Sequence, residues 1–213
     1  MTNPPFLSGH TVELRVPLDS DILVDNWHIW YNDQDVTRHN GHGIFPLGRL
    51  EELKIVHEIM ARKNTLLLAI VEKHTQRLIG NAALQNIDLI NRNCNLAITI
   101  GERSSITAGV EVFGLLVQHA FLRLNLNRIN DATHEKLLTF VQMLGVFGFK
   151  IEGVGKQHYF KDGVWSDKIY FGLLEDDFSK LLQNRGGKII FETHEELLNA
   201  VMITLKNSPK LTY

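Results

Sequence analysis

The alternation of apolar and polar positions divides the chain before any single residue is weighed. "TVELRVPL" (11–18) alternates and predicts a first strand. Residues 19–32 set Asp19, Ser20 and Asp21 ahead of Ile22, Leu23, Trp27 and Trp30, which predicts a short helix with its caps. "NDQDVTRHNGHGIFP" (32–46) loses the period and reads as loop. Leu50, Leu53, Ile55, Val56, Ile59 and Met60 form a stripe that predicts a helix over 47–62. "TLLLAIVE" (65–72) and "RLIGNAALQNID" (77–88) predict two strands of a hairpin about "HTQ" (74–76). "LINRN" (89–93) turns the chain into a third strand, "CNLAITIG" (94–101). An apolar helix is expected from about Gly109 to Leu122, a strand at "NRINDAT" (127–133) and a helix over 135–146. "FKIEGVGKQHYF" and "VWSDKIYFGLL" flank "KDG" (161–163), a hairpin turn signal.

The order β-α-α-β-β-β-α-β-α-β-β indicates a mixed α/β or α+β domain. It is expected to span residues 1–178, with an extension over 179–213. In the tail, a Gly186-Gly187 break precedes "KIIF", read as a short strand suited to edge pairing. Thr193 with Glu196 predicts a capping box before a last helix.

Composition narrows the class. The chain has 213 residues, 44% apolar and 22% charged, as expected of a soluble globular protein. A net charge of −2 gives no basic surplus for nucleic acid. Cys94 is the only cysteine, so an internal disulfide is excluded and a reducing compartment fits. The opening MTNPPFLSGH has no signal-peptide pattern, and no apolar stretch approaches the ~20 residues of a membrane helix. A cytoplasmic location away from membranes is expected.

One stretch asks for chemistry. "IGERSSITAGVE" (100–111) sits where a strand ends and a helix begins, a place where backbone N–H groups meet phosphates. Such loops are usually rich in glycine, and here only Gly109 follows Ser, Ile, Thr and Ala. A variant phosphate cradle and an ordinary turn both fit.

Four stretches carry a resemblance to a known family. "LIGNAALQNIDLINRNCNLAITIG", "GVEVFGLLVQHAFLRLNLNRI", "GFKIEG" and "YFKDGVWSDKIYFGLLEDDF" come in an order that resembles the GCN5-related N-acetyltransferase (GNAT) superfamily. Within it the likeness is to the ribosomal-protein-alanine acetyltransferase-like (RimJ/RimL-like) branch, over roughly residues 7–178. The resemblance implies a GNAT fold: a central mixed, mostly antiparallel sheet, splayed at the middle, with helices on both faces. It implies acetyl-CoA as co-substrate, its pantetheine arm pairing with the strand edge at Ile98, Thr99 and Ile100. The pyrophosphate would lie on Arg103, Ser104, Ser105, Ile106, Thr107, Ala108 and Gly109. The family loop places Gln or Arg, Gly, and Gly or Ala where this chain has Ser104, Thr107 and Gly109, so only Gly109 matches. The family's helix Asn and general-acid Tyr fall at Leu137 and Leu144.

Amide formation needs an amine lone pair, a polarised thioester and help for the departing thiol. Without the family Tyr, the acid must come from Tyr159, Tyr170, His134, His158 or water. Tyr159, Asn86 and Asp88 are the catalytic candidates. Asn32, Asp33, Arg38, His39, His42 and Phe45 are candidates for the acceptor. The expected reaction is N-acetylation of a small primary amine, an amino sugar ahead of a protein N-terminus, with no metal and with a homodimer allowed. The alternative is a weak or inactive relative that binds a ligand or partner.

Plainer readings stand beside these. His39 and His42 lack a third metal ligand and read as surface or substrate-facing. Asp88 reads equally as the cap of the turn before Asn91. Tyr159 and Tyr170 suit any strand, and Arg103 any surface. Trp27, Trp30 and Cys94 suit the core. Glu111 reads as a solvated or capping charge.

Overall fold

The strand expected at 11–18 forms as β2 (Val12–Arg15) in a computed structural model of the chain, and a short strand not expected from the sequence, β1 (Leu7–Ser8), precedes it. The model describes residues 4–191, 193, 195, 196, 199, 200 and 202, with only the backbone of Ile106, Leu138 and Thr139.

The helix expected over 19–32 is interrupted. α1 (Asp19–Leu23) and α2 (Trp27–Trp30) are separate. A continuous helix would put Val24 on the face of Trp27, three positions on. The break leaves Val24 75% exposed while Trp27 and Trp30 are both buried, their rings 6.0 Å apart. The region read as loop contains α3 (Gln34–Thr37), because Asp33 accepts from the N–H groups of Asp35 and Val36. α4 (Arg49–Met60) follows.

β3 (Leu66–Glu72), β4 (Leu78–Asp88) and β5 (Asn93–Ile100) form the expected antiparallel meander. α5 (Ile106–Leu122) starts three residues before the expected Gly109, because the Ser105 hydroxyl accepts from the Ala108 N–H at 3.2 Å. β6 (Arg128–His134), α6 (Leu138–Val146), β7 (Lys150–Lys161) and β8 (Val164–Leu174) complete the order. The turn between β7 and β8 holds Asp162 and Gly163 both at positive φ, as a tight two-residue hairpin requires. α7 (Glu175–Asn184) runs across the boundary expected between residues 178 and 179.

The eight strands lie in the order β1-β2-β3-β4-β5-β6-β8-β7. Among the described residues, only β5 and β6 are parallel neighbours. One face packs on α5 and α7 through Leu68, Ile70, Phe113, Leu116, Ile129, Phe171 and Phe178. The other face carries α1, α2 and α4 through Ile22, Trp27, Trp30, Val56 and Ala69. Helices on both faces of a mixed, mostly antiparallel sheet are the architecture that the resemblance implied.

Two expectations are corrected. "KIIF" is not a strand: Ile189 is buried in the main core, and Ile190 and Phe191 pack against it. Burial of apolar side chains outweighs edge pairing there. Glu111 is not a solvated charge. It is buried and accepts from the N–H groups of His10, Thr11 and Val12 and from the Thr11 hydroxyl. The helix expected after Thr193 lies largely outside the described residues, and the Glu196 N–H donates to the Thr193 hydroxyl at 3.1 Å.

Candidate active site

The site begins where a sheet comes apart. β5 and β6 pair only at Asn93–Arg128, Cys94–Ile129 and Asn95–Asn130. From Leu96 and Asp131 onward the strands diverge. A cavity of about 350 Å³ opens there, bordered by Leu96 to Ile100 on one side and Asp131 to His134 on the other. The backbone of Leu96 to Ile100 thus faces a space, not a paired β6.

At the far end of that edge the chain is anchored before it enters α5. Gly101 lies against Trp30, and a Cβ there would stand 2.1 Å from the indole ring. Glu102 accepts from Trp30 Nε1 at 3.1 Å and from Asn26 Nδ2 at 3.0 Å, which holds its carboxyl below the usual range. Arg103 is exposed, Ser104 half-buried, and Ser105 caps α5 with its hydroxyl 2.7 Å from that of Thr107. Ala108 is buried. Among the described residues nothing lies within 4 Å of a Cβ built at Gly109, so that side of the first turn of α5 is open among them. The first N–H groups of a helix lack intrahelical partners, so this turn is suited to an anion.

A second cavity, of about 380 Å³, lies between the 38–44 segment and the β7–β8 hairpin. The two cavities share His39, Asn40, His134 and Tyr159. The His39 and His134 rings are 4.7 Å apart, and His134 stacks on Tyr159 at 5.2 Å. Burial lowers the pKa of both histidines, and the neighbouring Arg38, Lys136 and Lys161 lower that of His39 further. His134 Nδ1 accepts from the Lys136 N–H at 3.1 Å, so the neutral ring carries its proton on Nε2. Burial raises the Tyr159 phenol, which stays protonated. An irregularity in β7 between Gly155 and Tyr159 sets that ring. Gln157 there has positive φ, and its N–H donates to Asp167 at 2.9 Å.

Of the remaining candidates, Arg38 and His42 border the cavities and the others fall elsewhere. Asn32 clasps the loop through Leu47, donating to its carbonyl at 2.7 Å and accepting from its N–H at 2.8 Å. Arg38 borders the second cavity and pairs with Asp35. His42 borders the first cavity and packs on Tyr31 at 4.8 Å. Phe45 is 83% exposed and lines neither cavity. Asn86 and Asp88 also line neither. Asn86 takes positive φ at an irregularity of β4, and Asp88 accepts from the N–H groups of Ile90 and Asn91 in an exposed turn. The capping reading accounts for every contact of Asp88. Cys94 is buried, its thiol pushed up to about 12, and is inert core.

Asp131 was overlooked in the sequence. Its signal was legible: in "RINDATH", Ile129, Asp131 and Thr133 share one strand face, so a carboxyl stands at an inward position.

Comparison with known proteins bears on the fold and the family. Among solved structures, a GCN5-related N-acetyltransferase from Brucella melitensis superposes with a TM-score of 0.69 at 22% identity, covering 86% of this chain and 84% of that one. A spermidine N-acetyltransferase from Vibrio cholerae, solved with CoA and spermine, gives 0.69 at 17% identity, over 79% of this chain and 98% of that one. These likenesses establish the fold. An uncharacterized N-acetyltransferase, p20, from Bacillus licheniformis is 23% identical over 167 residues, 76% of this chain and 90% of its own length. Residues 12–150 match the model of the acetyltransferase (GNAT) domain, and the chain belongs to that family.

Proposed function

We propose that the protein moves an acetyl group from acetyl-CoA to the primary amine of a small molecule that also carries an anionic group, with an amino sugar ahead of a protein N-terminus. The observation that carries the reading is the open β5 edge, which ends at the capped start of α5 and meets a second cavity at His39, His134 and Tyr159. The donor's extended arm matches an unpaired strand edge. Its pyrophosphate matches the start of α5, where Ser104, Ser105 and Thr107 supply hydroxyls in place of glycines.

The acceptor side argues for an anion. Arg38, Lys136 and Lys161 border the second cavity with three histidines, against the single carboxylate of Asp162. Arg38 is partly neutralised by Asp35, and the Lys161 ammonium bonds to the Thr37 and His42 carbonyls, so the excess is moderate. It still disfavours a polyamine and favours a phosphate or carboxylate beside the amine. His39, held neutral near pH 7, takes the proton the amine gives up, and Tyr159 orients the acceptor.

Calorimetry with acetyl-CoA tests the donor half. Micromolar binding is expected, with loss in Gly109→Trp, whose indole would enter the open space beside α5 and leave the core untouched. No binding at millimolar donor sinks the reading. A thiol-release assay over a hexosamine phosphate, a nucleotide-linked amino sugar, an alanine-start peptide and spermidine tests the acceptor half. Preference for spermidine would overturn the anionic acceptor.

A further inference from the structure

Asp131 is the first residue of β6 beyond its last pairing with β5. Opposite it in β8 stands Phe171, and two residues on, Thr133 faces Ile169; both partners belong to the main core. Ala132 faces Tyr170 and His134 faces Lys168, on the other face of the sheet with Tyr159. Asp131 therefore borders the cleft from the face that α5 covers, and His39, His134 and Tyr159 border it from the acceptor face. One carboxyl oxygen, Oδ1, accepts the Ala132 N–H at 2.6 Å. The other, Oδ2, is sealed from solvent and has no hydrogen-bond partner among the described residues.

A buried polar atom without a partner costs stability, and its persistence at the throat of a cleft needs a reason. Leu96, Leu137 and Phe140 line the same cavity and carry no proton, nor does the buried Leu144. The titratable groups that border the cavity with Asp131 are Asp35, His39, His42, His134 and Tyr159.

We propose that Asp131 is the acid that protonates the departing sulfur of the thioester donor. The assignment rests on the acetyl-transfer reading above. In the step, the amine nitrogen bonds to the acyl carbon and the carbon–sulfur bond breaks. The sulfur takes the bonding electron pair and the proton from Asp131 Oδ2. The nitrogen's proton passes to His39 and on to water, and a turn of the Asp131 carboxyl about χ2 brings the emptied oxygen to the cleft, where water reprotonates it. Amine and thioester become amide and thiol, with no other reactant. Burial pushes the Asp131 carboxyl up to about 7, so a protonated fraction is present at neutral pH.

The first test needs no turnover. The infrared difference between wild type and Asp131→Asn should show one protonated carboxyl band, present at pH 6 and gone by about pH 8. CoA should shift that band, and a CoA analogue lacking the sulfur should not. A carboxyl ionised at pH 6, a band unmoved by CoA, or an equal response to both ligands overturns the assignment. The second test is kinetic. Asp131→Asn should lower kcat by about 10² to 10³, with the KM for acetyl-CoA little changed, and Asp131→Glu should restore part of the rate. The fall of kcat as pH rises through about 7 should disappear with Asn. A variant that keeps kcat within a factor of three overturns the proposal. A melting temperature at or above that of wild type shows that the loss is not unfolding. Infrared shifts as expected, with no turnover of any amine by wild type, would defeat the acetyl-transfer reading and leave Asp131 placed at the sulfur.

Discussion

Glu111 and Asp131 are two carboxylates on the same side of one sheet, and their surroundings differ completely. Glu111, in α5, meets three backbone N–H groups and a hydroxyl and so fastens the β1–β2 turn to the central helix. Gly9 makes room for it, since a Cβ there would lie 2.2 Å from the carboxylate. Asp131 meets one N–H through one oxygen and nothing through the other. A buried carboxylate whose lone pairs are filled holds the fold together; a half-buried one whose enclosed oxygen has no partner among the described residues costs the fold and is available to a ligand.

Removing the satisfied acid should have the largest effect on stability. Glu111→Ala leaves four donors facing a void and should lose about 3 to 5 kcal/mol in urea denaturation. A loss below about 1 kcal/mol would erase the contrast. Asp131→Asn should go the other way. The folded pKa of Asp131 lies above its unfolded value, so the native state binds more protons between about pH 4 and 7, and this group's penalty grows as pH rises through that window. At about 1.4 kcal/mol per pKa unit, the variant should gain about 2 to 4 kcal/mol at pH 8 and nothing at pH 3. An equal gain at both pH values would mean packing, not ionisation, is responsible.

Glu102 sharpens the comparison from between these extremes. It is half-buried and hydrogen-bonded to Trp30 and Asn26, so its pKa is lowered. Its contribution is present above the unfolded pKa and fades as pH falls through the lower folded value. Glu102→Gln should cost about 1 kcal/mol at pH 7, little at pH 2, and weaken acetyl-CoA binding slightly by loosening the entry to α5. Unchanged stability at pH 7 would show that Trp30 alone holds that corner.

The hairpins were legible because their signals are local: the "HTQ" and "KDG" turns and the short, mostly apolar runs of β3, β4 and β5 need no distant partner. The start of α5 was misplaced by three residues, although Ser105 before an apolar run is itself a cap signal. "KIIF" reads as a strand by composition, and its burial in the core depends on helices more than forty residues away. Asn86 and Asp88 sat near the end of the right strand in sequence, yet β4 carries them to the end away from the opening, beside Asn93.

Element order, the alternation that seals both faces of the sheet, and the capped entry to α5 were fixed along the chain, because turns, caps and periods are settled between residues a few positions apart. The parting of β5 from β6 after Asn95, the meeting of His39 with His134 and Tyr159, and the empty lone pair of Asp131 were decided only in the folded molecule. Each depends on groups tens of residues apart, and what surrounds a carboxyl there decides whether it carries structure or a proton.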